Sequence, residues 1–151
     1  MSAEENKDIV RRLLEKLYDK RNVDIFDEVY AADYKGHIPS STLESPEAAK
    51  QFNLAMDKAF PDSEFFIEDL LADGDSVAIR WTFRGTHQGD LIGPTMTIPT
   101  TGKRLEFEAM SLFRFSDGKI VESWGFWDGL SLMRQLGLLP DPSQPEEASN
   151  G

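Results

Sequence analysis

Apolar positions along the chain recur first at helical spacing and then in alternation, so the sequence reads as helices followed by strands. Ile9, Val10, Leu13, Leu14, Leu17 and Tyr18 fall on one side of a helix, and Ser2 followed by Glu5 forms the capping box that opens it. This first helix is expected to run to about Lys20. Asn22 and Asp24 open a shorter apolar side made of Ile25, Phe26, Val29 and Tyr30, expected to be a second short helix. Asp33 to Pro39 leaves helical spacing and reads as a loop carrying His37. Ser45 as N-cap and Pro46 at the first helical position start a third helix through Phe52, Met56 and Phe60, which Pro61 closes.

Beyond Pro61 the period shortens. Phe65 to Leu71 is a long-strand candidate ended by Asp73-Gly74-Asp75, and Val77, Ile79, Trp81 and Phe83 then alternate with Ala78, Arg80, Thr82 and Arg84. Gly85 to Thr101, rich in Gly, Pro and Thr, is either a long loop or a hairpin with wide ends, and could serve as a lid. Arg104 to Phe115 and Lys119 to Trp127 flank the hairpin signal Ser116-Asp117-Gly118. Asp128 can cap a last short helix through Leu130, Leu132, Met133 and Leu136, ended by Gly137. Helices first and antiparallel strands afterwards define an α+β class in a single domain over residues 1–139, with 140–151 expected to be a disordered tail on composition.

The last hairpin admits two registers, and a slip of one residue exchanges its faces. A two-residue turn sets Phe113 opposite Glu122. A three-residue loop with Gly118 left-handed instead pairs Arg114 with Glu122, Leu112 with Trp124 and Met110 with Phe126 on one face. Phe115 with Val121, Phe113 with Ser123, Ser111 with Gly125 and Ala109 with Trp127 then share the other. The second register is preferred, because it matches charges and apolar groups across the strands. It leaves Ala109, Ser111, Ser123 and Gly125 in the middle of one face, where large side chains would ordinarily fill a core.

Composition narrows the partners. A net charge of −11 opposes binding to nucleic acid or an anionic membrane, since both require Lys and Arg against phosphate. There is no cysteine, which excludes disulfides and thiolate sites, and no apolar stretch of ~18 residues that could span a membrane. The default location is cytoplasmic. Two isolated histidines fall short of the three-ligand sets that catalytic metals need, so neither metal nor cofactor is expected.

The segments 10–15 (Val-Arg-Arg-Leu-Leu-Glu), 34–37 (Tyr-Lys-Gly-His), 59–62 (Ala-Phe-Pro-Asp), 77–89 and 113–124 together resemble the SnoaL-like polyketide cyclases of the nuclear transport factor 2-like superfamily, over about Asn6 to Gly137. The resemblance implies a cone-shaped domain in which a strongly curved antiparallel sheet and N-terminal helices enclose an apolar pocket. It also implies a homodimer through the outer sheet face, to which the hairpin register assigns Met110, Leu112, Trp124 and Phe126. Cofactor-free intramolecular aldol chemistry is implied too, with an acid/base His before the "x-Phe-Arg" of the penultimate strand and an Asp directly after the Trp of the last. Here those positions hold Ser111 and Gly125.

Candidate groups follow. His37 and His87 are candidate proton-transfer residues, and Ser111 a hydrogen-bond donor; the structural alternatives are backbone bonding for His37 and turn bonding for His87. Tyr34, Trp81, Phe107, Phe113, Gly125 and Trp127 are expected to line the ligand pocket. Asp128 is better explained as a helix cap. Two functions remain open: an acid/base enzyme of aldol cyclase, isomerase or lyase type on a small hydrophobic molecule, or a non-catalytic ligand-binding or assembly domain.

Overall fold

The computed structural model describes residues 2–39, 41–93 and 97–140. Helix α1 spans Ala3–Leu14, and its capping box is formed: Ser2 Oγ accepts from the Glu5 N–H at 3.1 Å, and the Glu5 carboxylate accepts from the Ser2 N–H at 3.3 Å. Val10, Leu13 and Leu14 are buried on its inner side. The helix then widens into one π-helical turn, Glu15–Asp19, which apolar spacing does not mark. Tyr18 of that turn stacks on Phe65 at 4.4 Å between ring centroids. Beyond it, Arg21 takes a left-handed conformation (φ 52°), and its guanidinium donates to Asp57, to the Ser63 hydroxyl and to the Pro61 and Ser63 carbonyls. That clasp ties the π turn to the end of the third helix.

Helix α2 is Ile25–Val29. The loop expected over Asp33 to Pro39 is instead mostly strand: β1 runs Tyr30–Ile38 and turns back into β2, Ser41–Leu43. Its sequence hides it, because β1 lies parallel to a strand 87 residues later (Gly36 beside Ser123, His37 beside Trp124), and local alternation carries no trace of such a partner. The sheet is therefore mixed and not wholly antiparallel.

Helix α3, Pro46–Ala59, starts at the Ser45 cap, whose Oγ accepts from the Ala48 N–H at 3.1 Å. Strands β3 (Glu64–Asp73), β4 (Ser76–Thr86), β7 (Arg104–Ser116) and β8 (Lys119–Trp127) complete a six-stranded sheet in the order β2-β1-β8-β7-β4-β3. Between β4 and β7, the short strands β5 (Leu91–Ile92) and β6 (Thr97–Ile98) pair with each other, so Gly85 to Thr101 is the wide-ended hairpin and not a plain loop. Helix α4, Gly129–Gln135, is capped by Asp128 and followed by left-handed Gly137 (φ 80°). The tail expected over 140–151 lies, past residue 140, outside the described residues.

The last hairpin adopts the preferred register from Ala109 opposite Trp127 to Arg114 opposite Glu122. Its tip differs: Ser116 pairs with Lys119 around Asp117 (φ 50°) and Gly118 (φ 76°), a two-residue turn, and Phe115 pairs with Ile120 instead of Val121. One extra residue on β8, absorbed as a bulge, reconciles the tight turn with the inner register. Phe115 and Ile120 are thereby both buried. On the inner sheet face Val77, Ile79, Trp81, Phe83, Phe107 and Phe113 pack beneath the helices as one core.

Candidate functional site

Between the inner sheet face and α1, α3 and α4 lie two cavities of about 400 and about 130 Å³. Both are walled by Tyr18, Ile38, Phe52, Asn53, Trp81 and Trp127. The larger adds Phe83, Phe107 and Met56, with Leu91, Ile92, Gly93 and Ile98 from the β5–β6 hairpin and Leu132 and Met133 from α4. The smaller adds Tyr30, Tyr34, Ser111, Phe113, Ser123 and Gly125. The size of the larger and its apolar walls fit a small-molecule site, which typically runs from ~300 to ~1,000 Å³.

Of the residues proposed to bind ligand, Trp81 and Trp127 wall both cavities, Phe107 the larger, and Tyr34, Phe113 and Gly125 the smaller, which Ser111 also lines. The histidines are placed differently. His37 sits on β1 beside Trp124, and both line the smaller cavity. Its imidazole bonds Glu122 through Nε2 at 2.7 Å and stacks on the Trp124 ring at 5.4 Å, on the face opposite Ser123 and Gly125. His87 belongs to neither cavity wall and is fully buried at the base of the β5–β6 hairpin. Its Nδ1 accepts the Thr101 backbone N–H at 3.2 Å and meets the Thr101 hydroxyl at 2.9 Å, which puts the ring proton on Nε2, an atom with no partner. Burial pushes this imidazole below its ordinary pKa of 6.5, so it stays neutral.

Neutral polar groups, by contrast, converge on the cavities. Trp81 Nε1–H donates to Ser111 Oγ at 3.0 Å. Tyr34 OH and Ser123 Oγ are hydrogen-bonded at 2.6 Å, and Gly36 makes that crossing possible, since a Cβ there would stand 2.3 Å from the Tyr34 oxygen. Burial raises the Tyr18 and Tyr34 hydroxyls above the usual phenol pKa and keeps both protonated. Asn53, nine-tenths buried, lines both cavities with its Oδ1 unpartnered, which costs ~1–3 kcal/mol until a donor arrives. The larger cavity is lined by no Asp, Glu, His, Lys or Arg, and the smaller by His37 alone of these types. No group of three or more His, Cys, Asp or Glu placed to hold a metal occurs among the described residues.

Tyr18 and Asn53 are site residues the sequence reading missed, and Ser123, placed on the open face, was given no role. Asn53 carries a usable signal: it falls one helical turn after Ala49 on the buried side of α3, and a polar group at an apolar position asks for a reason. Tyr18 reads as ordinary helix core until the π turn is known.

A six-stranded mixed sheet folded against helices over such a pocket defines the nuclear transport factor 2-like or ketosteroid isomerase-like class of α+β proteins. Within that class the chain belongs to the SnoaL-like polyketide cyclase family, whose sequence profile matches residues 8–136. It is 31% identical over 136 residues to aklanonic acid methyl ester cyclase DnrD of Streptomyces peucetius, spanning 86% of this chain and 89% of that one. The identity to aklanonic acid methyl ester cyclase DauD of Streptomyces sp. (strain C5) is also 31%, over 86% and 80% of the two chains. Among solved structures, a SnoaL-like protein of Jannaschia sp. CCS1 superposes with a TM-score of 0.81 at 23% identity, over 91% of this chain and 95% of that one. AclR of Streptomyces galilaeus, described as a candidate hydroxylase, superposes with a TM-score of 0.79 at 27% identity, over 93% and 89%.

Proposed function

We propose that the chain acts on a small, mostly apolar molecule bearing carbonyl groups, by cofactor-free acid/base chemistry of the cyclase, isomerase or lyase type. The observation that carries this reading is the pocket itself: aromatic walls at Trp81, Phe107, Phe113 and Trp127, with neutral donors Tyr34, Ser123 and Ser111 around its smaller end. Members of all three reaction types that begin by removing a proton next to a carbonyl pass through an enolate, and preorganised neutral donors in a water-poor site stabilise the charge that develops on its oxygen. The positions that the family resemblance assigns to an imidazole and a carboxylate hold Ser111 and Gly125. With no carboxylate in the walls and the one imidazole there, His37, bonded to Glu122, the proton leaves to water or to a ligand oxygen. That demands an unusually acidic C–H, such as one between two carbonyls.

A second reading, a non-catalytic carrier of the same class of ligand, is favoured by the larger cavity having no titratable wall residue apart from Tyr18. The two separate in one experiment. The protein is incubated with aklanonic acid methyl ester, the compound in the names of DnrD and DauD, and ring closure is followed by liquid chromatography and mass spectrometry. Product above the protein-free control supports the enzyme. Binding without product, in the native chain and in Ser111→His/Gly125→Asp alike, supports the carrier. Product from the double variant alone marks a cyclase scaffold turned to another substrate.

The exposed Met110 and Phe126 on the outer sheet face suit a homodimer of the kind the resemblance implies. Sedimentation of the native chain against Phe126→Glu tests this, the variant being expected to run as the smaller species. No helix among the described residues is long and apolar enough to cross a membrane.

A further inference from the structure

Ser111 and Gly125 face each other across β7 and β8, and the space over Gly125 is open. A Cβ built on Gly125 would find one heavy atom within 4 Å, the Ser111 Oγ at 3.5 Å. A serine hydroxyl has one proton to give and two lone pairs to fill. The Trp81 indole N–H, 3.0 Å away, fills a lone pair of Ser111, and no acceptor among the described residues takes the serine proton. Trp81 in turn cannot swing away cheaply: it is 8% exposed, stacked on Phe65 at 4.5 Å and set edge-on to Phe107 at 5.9 Å. A clamped ring therefore occupies one side of the Ser111 oxygen and turns its proton away from Trp81 before any ligand arrives.

An independent feature of the same pocket also calls for a ligand. Asn53, nine-tenths buried, lines both cavities, as Trp81 does, and its Oδ1 has no partner. The pocket thus holds a serine proton without an acceptor and an amide oxygen without a donor.

Building on the pocket reading above, we infer that Trp81, Ser111 and Gly125 form a niche for a ligand carbonyl oxygen, which lies over Gly125 where a side chain would otherwise stand and accepts the Ser111 proton. The oxygen belongs to a neutral ketone, aldehyde or ester. A carboxylate would lose its hydration among apolar walls that offer no Lys or Arg and only a His37 already bonded to Glu122, and an ammonium would find no carboxylate. Asn53 accepts from a hydroxyl or amine elsewhere on the same molecule. Ser111 touches the ligand; Trp81 is a positioning residue that acts through it.

Two planar probes of equal shape test the niche: 2-acetylnaphthalene, which has the carbonyl, and 2-isopropenylnaphthalene, which has a CH₂ in its place. Binding of each to the full chain is measured by calorimetry. The native protein is expected to prefer the ketone by about 5- to 10-fold, the worth of one neutral hydrogen bond. Ser111→Ala is expected to abolish that preference while leaving the alkene affinity unchanged. Trp81→Phe, which keeps an aromatic ring in the stack but removes the indole donor, is expected to reduce it partially. Gly125→Ala fills the niche at an ordinary contact distance, so it should keep the fold, weaken both probes and remove the ketone's advantage over the alkene. The stretching band of a ¹³C-labelled carbonyl should move to lower frequency in the native complex and return in Ser111→Ala. Equal binding of the two probes, unchanged in Ser111→Ala and Gly125→Ala, overturns the niche and leaves the pocket standing. Failure of both probes to bind the native chain overturns the pocket reading and the niche with it.

Discussion

The two faces of the β7–β8 hairpin are built from opposite kinds of residue. The outer face carries the charged groups: Glu122 bonds His37, and Arg114 lies over the Trp124 ring at 4.9 Å. Farther along the sheet, Arg80 pairs with both Asp69 and Glu108. The inner face carries Ser111, Ser123 and Gly125 between large aromatics, and its polar contacts run through neutral hydroxyls, an indole and a buried amide. Charge and chemistry have thus been separated by the thickness of one sheet. An ion pair on the wet side is worth little, whereas a neutral donor on the dry side keeps most of its strength.

The largest test of this contrast is a pair of truncations. Trp81→Ala should cost about 3–5 kcal/mol in denaturant unfolding, because it removes a buried ring from the centre of the aromatic stack. Phe126→Ala, 59% exposed on the other side of the sheet, should change the stability of dilute protein by less than about 0.5 kcal/mol. A smaller effect of opposite sign is expected at Asn53. Asn53→Leu removes an acceptor that lacks a partner and should stabilise the ligand-free chain by about 1 kcal/mol, read as a higher thermal midpoint, while weakening ligands that carry a hydroxyl.

The smallest effect concerns His87, whose burial lowers its pKa. Above pH ~6.5 the unfolded imidazole is neutral as well, and the group contributes its full share to folding. Below that value the unfolded chain takes up a proton that the folded site refuses, so stability falls until the folded pKa is reached. Thr101 reinforces the refusal, since its N–H points at the atom that would be protonated. Thermal midpoints of native and His87→Gln chains should therefore run parallel above pH ~6.5 and converge below it, with the native curve the steeper.

Much of this architecture was readable from local signals. Ser2, Ser45 and Asp128 mark helix starts because a cap satisfies backbone donors within three residues of itself. The hairpin register followed from cross-strand pairing, and with it the facing pair Ser111 and Gly125. The π turn and β1 were not readable. Each depends on partners remote in sequence: Tyr18 on Phe65, and β1 on β8. Missing β1 also hid what holds His37, for a strand residue is committed to a face and this one is fixed by Glu122 and Trp124 at the smaller cavity. Proton transfer was sought among histidines, whereas the polar contacts within the pocket join Ser111 to Trp81 and Tyr34 to Ser123.

The direct test is calorimetric titration of 2-acetylnaphthalene into Ser111→Ala and His37→Gln side by side. If the inner face does the binding through neutral donors, Ser111→Ala binds the ketone about 5- to 10-fold more weakly than the native chain, and His37→Gln binds it as the native chain does. Loss of binding in His37→Gln with Ser111→Ala unaffected would contradict the account.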